Sequence, residues 1–341
     1  MIKYADHTLA PVLSGFVERS DIFACRIACL LKSYGTGYDF ADFFLQLDGS
    51  GTPTAAAAKY YSDMTVYISD ACELQELCEF IGMISPASLL CPESIFRSDD
   101  RALADDYLRN DCVIMKRFLA SACVTADSII SDPPLSKVWA LLKSCENDGL
   151  SVPSYEDFLP DMSHKLRHGT ASVRAYEKGG ELAGAAMTVS QSAGCAVIGA
   201  VAVPKQFRRM GIGSACVNSL CAGLSEQGIS DIFIMREPDR NEAFYTSLGF
   251  ENTGNAVVLT SLRRQAAAPD FAVIDKQAET QKFRSSLFKG LQGQGTESLA
   301  GGLEGAGLRW RPLRSRSTDR ADRRDQRPPI FRRSFYQPFH G

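Results

Sequence analysis

The 341-residue chain contains no run approaching the ~18 uncharged apolar residues that a membrane-spanning helix needs. Its first residues, Met1-Ile2-Lys3-Tyr4-Ala5-Asp6, lack the basic-then-apolar layout of a signal peptide. The eleven cysteines are odd in number and irregularly spaced, so they do not read as a disulfide framework. Neither Cys25-x-x-x-Cys29 nor Cys72…Cys78 has the paired spacing of a zinc ribbon, and as small buried hydrophobes they need no metal. These absences argue against a membrane protein or a secreted scaffold. They lead us to expect reduced thiols, no metal and a cytoplasmic location.

What is present is unevenly distributed. The net charge of −3 conceals a body, residues 1–262, at −11 and a C-terminal segment, residues 263–341, at +8. All cysteines lie in the body, while the segment carries thirteen Arg, three Lys and eight Gly. From Arg263 onward no helical or alternating periodicity is sustained, apart from a short helix candidate over Ile274–Leu291. A Gly-rich stretch at Gly290–Gly307 and an Arg run at Arg309–Arg333 bury too little apolar surface to offset chain entropy, so we expect a disordered Arg/Gly-rich tail. It reads either as a basic arm, with Phe331, Phe335, Tyr336 and Phe339 as stacking groups for nucleic acid, or as an appendage without function, which is favoured.

Residues 126–262 are the informative part. Val138–Lys143 has helical spacing, and Glu146-Asn147-Asp148-Gly149 is a polar turn. Ser154 to Arg167 reads as a second helix capped by Ser154. Strands are expected at Ala171–Glu177 and Glu181–Ser190, joined by the hairpin signal Lys178-Gly179-Gly180. Ala196–Val203 is apolar and β-branched enough for a buried strand. It runs into Pro204-Lys205-Gln206-Phe207-Arg208-Arg209-Met210-Gly211-Ile212-Gly213-Ser214, after which a helix starts at about Gly213. A helix N-terminus offers free N–H groups and partial positive charge, Gly211 and Gly213 permit close backbone approach, and Arg208 and Arg209 add charge. The pattern suits a pyrophosphate. A strand at Asp231–Arg236, a short helix within Arg240–Gly249 and a strand at Ala256–Leu262 follow.

Two ordered motifs in this segment resemble the GNAT superfamily of acyl-CoA N-acyltransferases. Arg208-x-x-Gly211-x-Gly213 is similar to its acyl-CoA loop, and Asn241…Phe244-Tyr245-x-x-Leu248-Gly249-Phe250 to its later helix. The element order agrees. The resemblance implies that Val201, Ala202 and Val203 supply backbone groups to the pantetheine arm of acetyl-CoA. It also implies that amides of Arg209, Met210, Gly211, Ile212, Gly213 and Ser214 cradle the pyrophosphate, with Arg208 nearby. Tyr245 would protonate the departing CoA thiolate, whose charge develops as the tetrahedral intermediate collapses. Asn241 stands only four residues before Tyr245, with Pro238 at the farther position many members give to asparagine. Asn241 therefore reads equally as a CoA contact or as a helix N-cap.

A general base for the acceptor amine is not singled out: Glu177 and Glu181 flank a hairpin and read equally as solvated turn carboxylates. His164 and His168 share a helix face without the companions of a metal site.

Residues 1–125 carry helix candidates at Val17–Tyr34 and Ala71–Gly82. Strand candidates lie at Ile2–Ala5, Phe40–Leu47, Thr54–Tyr61, Met64–Ser69, Ser88–Leu90 and Val113–Leu119. The order echoes the second part, which suggests a duplicated fold. After Ser69 the chain reads Asp70-Ala71-Cys72-Glu73-Leu74, with no glycine or arginine where a phosphate cradle would lie, and its acids would repel a pyrophosphate. We therefore expect an α/β fold of two GNAT-like mixed-sheet domains with flanking helices. The expected bounds are 1–125 (degenerate, CoA-free), 126–262 (N-acetyltransferase) and 263–341 (the tail). The expected activity is acetyl transfer from acetyl-CoA to a primary amine by direct attack in a ternary complex. The other reading is a non-catalytic acyl-CoA-binding regulatory module. The acceptor and the oligomeric state, a homodimer included, stay open. A membrane partner is not expected, and a nucleic acid is disfavoured.

Overall fold

A computed structural model describes residues 1–97, 106–118, 128–146, 150–192 and 194–262. The expectations for 263–341, for the turn at Glu146–Gly149 beyond Glu146, for Leu119 and for the 125/126 boundary lie outside these residues. The N-terminal half contains β1 (Ile2–Tyr4), α1 (Ala10–Val17), α2 (Ile22–Tyr34), β2 (Ala41–Leu47), β3 (Pro53–Tyr60), β4 (Asp63–Ile68), α3 (Leu74–Ile84), β5 (Ser88–Pro92) and β6 (Tyr107–Phe118). The C-terminal half contains β7 (Ile129–Ser131), α4 (Leu135–Ser144), α5 (Tyr155–Arg167), β8 (Val173–Lys178), β9 (Glu181–Ser192), β10 (Cys195–Ala202), α6 (Ile212–Glu226), β11 (Asp231–Arg236), α7 (Glu242–Ser247) and β12 (Glu251–Ser261). The mixed α/β class is as expected, and the second half repeats the element order of the first apart from α7, in whose place the described residues of the first half hold only a 3-10 stretch, Glu93–Arg97.

Local chemistry sets several boundaries. The expected helix Val17–Tyr34 is two helices. The Asp21 carboxylate accepts from the amides of Phe23 and Ala24 and so starts α2 afresh, while Val17 ends α1. The Ser154 hydroxyl accepts from the Asp157 amide at 3.2 Å, which confirms that residue as the cap of α5. Strand β7, which no expectation covers, is three residues whose pairing with β8 holds them extended.

The twelve strands form one continuous sheet in the order β1-β2-β3-β4-β5-β12-β6-β11-β10-β9-β8-β7. The two halves exchange strands reciprocally. β12, from the C-terminal half, lies between β5 and β6, with Val258 opposite both Leu90 and Asn110. β6, from the N-terminal half, lies between β12 and β11, with Met115 opposite Ile234. Each half alone would leave unpaired strand edges at this seam.

The helices cover both faces. Under α6, Cys216, Val217, Leu220 and Leu224 pack on Ala186, Ala196, Ile232 and Ile234. On the other face, α4 and α5 bring Val138, Leu142, Phe158 and Met162 onto Val173, Ala185 and Ala200. Helix α2 serves both halves: Ala24 and Ile27 enter the core over β2 and β3, while Ile22, Phe23 and Cys25 pack with Cys195, Val197 and Phe233. Among the described residues no helix is long and apolar enough to cross a membrane.

Candidate functional site

The parallel strands β10 and β11 pair only from Cys195↔Asp231 to Ile198↔Ile234. Beyond that point β10 bulges. Its register against β9 shifts on both sides of Ile198, then resumes with Ala200↔Met187, Val201↔Ala186 and Ala202↔Ala185. Gly199 sits in the bulge because a Cβ there would lie 2.1 Å from Val189 Cγ1. The strands therefore part at their C-terminal ends. Gly199–Ala202 and Met235–Arg236 face the gap without pairing to each other, although β10 stays bonded to β9 and β11 to β6.

Beyond β10, Lys205–Phe207 make a single 3-10 turn, and Arg208 Nε donates to the Val203 carbonyl at 2.9 Å. Arg209 (φ 61°) and Gly211 (φ 75°) are left-handed, the conformation for which Gly211 is suited. Gly211 opens α6, no side chain caps that helix, and its first turn holds no acid. Its first-turn amides are the orphan donors of a helix start, and Arg209, Met210 and Gly211 are exposed around them. Gly213 is only partly open: a Cβ there would stand 3.5 Å from Phe244 Cζ and from Val203 Cγ2, an ordinary contact. That contact joins the two sequence motifs, because Phe244 precedes Tyr245 on α7.

Tyr245 is half-buried, with its ring 5.0 Å from that of Phe244 and 5.7 Å from that of Phe250. Asn241 is exposed and left-handed (φ 59°) at the residue before α7. Its side chain makes no capping bond, so of the two roles read for it the structure does not show the side-chain N-cap. Its carbonyl accepts from the Tyr245 amide at 3.1 Å. Glu177 and Glu181 are exposed on the β8–β9 hairpin, where Lys178 Nζ comes within 3.9 Å of Met210 Sδ. The hairpin thus reaches the basic loop, and Lys178 joins the cations there.

The equivalent place in the N-terminal half is built differently. β4 and β5 are also parallel and also part early, after Thr65↔Leu90. The turn from Ile68 to α3 is short, and its backbone is already engaged. Gln46 Oε1 accepts from the Glu73 amide and Gln46 Nε2 donates to the Glu73 carbonyl, each at 2.9 Å. Glu76 stands in the first helical turn. An anion finds there a carboxylate and an amide already satisfied.

Other candidates have structural occupations. The His164 ring stacks on Tyr34 at 4.8 Å and on His168 at 4.0 Å, and its Nε2 lies 2.7 Å from the Ser33 carbonyl oxygen. Among the described residues no three His, Cys, Asp or Glu side chains gather as a metal site. The ten cysteines described are free thiols. Burial pushes Cys216 up to about 12, and burial with the nearby charges of Glu237 and Asp111 pushes Cys112 up to about 11, so neither is a thiolate nucleophile near neutral pH.

Four residues beside this candidate site carry no motif of their own: Gly184, Gly199, Lys178 and Arg236. Glycines inside strands were the available signal for the first two. Arg236, 7% exposed, ends β11 at the gap.

Residues 135–250 match the acetyltransferase (GNAT) family, a segment inside the 126–262 that carries the resemblance. A search of curated proteins finds no match. Among solved structures, the chain is similar to a GCN5-related N-acetyltransferase from Sphaerobacter thermophilus, at 14% identity and a TM-score of 0.51. That likeness covers 76% of this chain and 94% of that one. It is also similar to a protein of Drosophila melanogaster, at 10% identity and a TM-score of 0.54, covering 76% and 98%. These likenesses are ones of fold.

Proposed function

We propose that this chain, whose residues 135–250 match the GNAT acetyltransferase family, transfers an acetyl group from acetyl-CoA to a primary amine. The observation that carries this reading is the parting of β10 from β11 directly before an uncapped, acid-free helix start. In the gap, backbone groups of Val201, Ala202 and Val203 pair with the pantetheine arm as an added strand would. The amides of Arg209 to Ser214 and the charges of Arg208 and Arg209 receive the pyrophosphate. Arg208 leaves the Val203 carbonyl as it does so, freeing that oxygen for the pantetheine amide. Asn241 lies beside this path as a further CoA contact.

The acceptor amine attacks the thioester directly in a ternary complex. The nitrogen lone pair forms the new C–N bond, the tetrahedral carbon expels the CoA sulfur, and the Tyr245 hydroxyl gives that sulfur its proton. The raised thiols of Cys112 and Cys216 support transfer without an acyl-cysteine intermediate. Glu177 and Glu181 remain the candidates to take the amine proton, directly or through water. The acidic body favours a cationic amine over a nucleic acid.

The N-terminal half acts as a degenerate, CoA-free partner, since Gln46 and Glu76 occupy its helix start. Residues 263–341 take no part in this reading, their Arg/Gly-rich sequence being read as an appendage without function, and the free thiols among the described residues fit a cytoplasmic protein. The test is thiol release from acetyl-CoA against a panel of polyamine, amino-sugar, amino-acid and peptide amines. Acetyl-CoA binding without turnover on the whole panel would leave the acyl-CoA-binding module instead.

A further inference from the structure

Helix α7 has six residues, too few to hold its own shape in water. Something outside it must set where Tyr245 stands. Asn241 gives no side-chain cap, while Phe244 and Tyr245 pack against the core under α6, the Tyr245 ring lying against those of Phe244 and Phe250. To this apolar packing Arg236 adds a polar fastening. Its side chain is 4% exposed, and its guanidinium reaches four separate pieces of chain. Nη1 donates to the Glu237 carbonyl at 3.0 Å and to the Pro238 carbonyl, fixing the loop that leads into α7. Nη2 pairs with Glu242 Oε1 at 3.1 Å, on the first residue of α7, and reaches Asn252 Oδ1 on β12 at 3.5 Å. Nε lies 3.3 Å from Met115 Sδ on the exchanged strand β6. Asn252 Nδ2 closes the triangle by donating to Glu242 Oε1 at 3.2 Å.

We propose that Arg236 is the positioning residue for Tyr245. It locks the 237–241 loop and the start of α7 to strands of both halves, so that the phenol meets the leaving sulfur. The inference rests on the proton-donor reading of Tyr245 given above. The planar guanidinium is needed because a lysine ammonium cannot serve the loop carbonyls and the Glu242 carboxylate in one plane. The exchange of β6 then has a catalytic consequence, since Met115 brings the N-terminal half into contact with this anchor.

The experiment compares Glu242→Gln, Arg236→Lys and Tyr245→Phe, singly and as Tyr245→Phe combined with Glu242→Gln. It reads kcat for thiol release from acetyl-CoA with the best amine of the panel, Kd for CoA, and hydrogen exchange of the 242–248 amides. Glu242 is exposed, so Glu242→Gln keeps the test available if Arg236→Lys does not fold. The expected result is a tenfold or greater fall in kcat for Glu242→Gln, with CoA affinity within twofold of wild type and faster exchange over α7. The double variant should be no slower than Tyr245→Phe alone. Wild-type kcat and exchange in Glu242→Gln, beside a damaged Tyr245→Phe, would overturn the positioning role and leave the donor standing. Wild-type kcat in Tyr245→Phe would overturn the donor reading itself, and this proposal with it.

Discussion

Gly184 on β9 lies so close to Ile212, the first residue of α6, that a Cβ at position 184 would stand 2.5 Å from Ile212 Cγ2. Ile212 is 3% exposed, so the helix start seats on the sheet at this point, with little room to move. Gly184→Ala must push the first turn of α6 outward. The expected outcome is a loss of about 1–3 kcal/mol in a urea titration, the usual cost of overpacking. CoA affinity, read by calorimetry, should weaken tenfold or more because the cradle amides move. Gly213→Ala meets Phe244 only at 3.5 Å and should cost far less stability.

The exchange of β6 and β12 predicts that neither half folds alone. A chain cut between 125 and 126 should give two fragments that are insoluble or unfolded when expressed separately. Mixed or coexpressed, they should assemble with CoA binding restored, as analytical gel filtration and calorimetry would show. Independent folding of 126–262 with full CoA affinity would contradict the shared sheet as the unit of stability.

Where α2 meets α5, the Tyr34 hydroxyl donates to Asp161 Oδ1 at 2.6 Å and Tyr60 donates to the same atom at 3.1 Å. Lys165 Nζ holds Asp161 Oδ2 at 2.9 Å, with both side chains nearly buried. Burial and the Asp161 charge raise both phenols well above their ordinary value of 10. Above about pH 10 the unfolded chain therefore loses tyrosine protons that the folded chain keeps. The unfolded state then binds fewer protons, and stability falls as pH rises. Tyr34→Phe should flatten this alkaline limb in melts between pH 9 and pH 11, a span set about the ordinary tyrosine pKa of ~10.

Removing one member of the buried pair should cost more than the pair itself contributes. Lys165→Met leaves Asp161 buried beside two phenols and is expected to lose about 3–5 kcal/mol at pH 7, the usual cost of orphaning a buried charge. Asp161→Asn with Lys165→Met should recover part of that loss, measured by the same urea titrations.

Much of this was legible in local sequence, and the remainder was not for identifiable reasons. β11 emerged as expected at Asp231–Arg236, and α6 began within a residue of the expected start, because strong apolar periods are bounded there by glycine and proline. β6 and β12 came out longer than their apolar cores at Val113–Leu119 and Ala256–Leu262. Their outer residues are polar and pair across the seam without an alternating pattern. Strand exchange is a matter of long-range register, and no window of the chain carries it. The loop proposed as a phosphate cradle, Arg208 to Ser214, is contiguous, so a strand, basic loop and helix start were legible there in one window. Arg236 was not, because it ends a strand of ordinary appearance and its partners Met115, Glu242 and Asn252 come from three other elements.

The central claim is that Tyr245 protonates the CoA thiolate in a cradle built at the parting of β10 and β11. The most direct measurement is kcat and CoA affinity for Tyr245→Phe beside wild type, with acetyl-CoA and the best amine of the panel. The account predicts a roughly 10²–10⁴-fold lower kcat, as for loss of a general acid, with CoA affinity unchanged. Equal kcat in the two proteins, or a loss confined to CoA affinity, would contradict it.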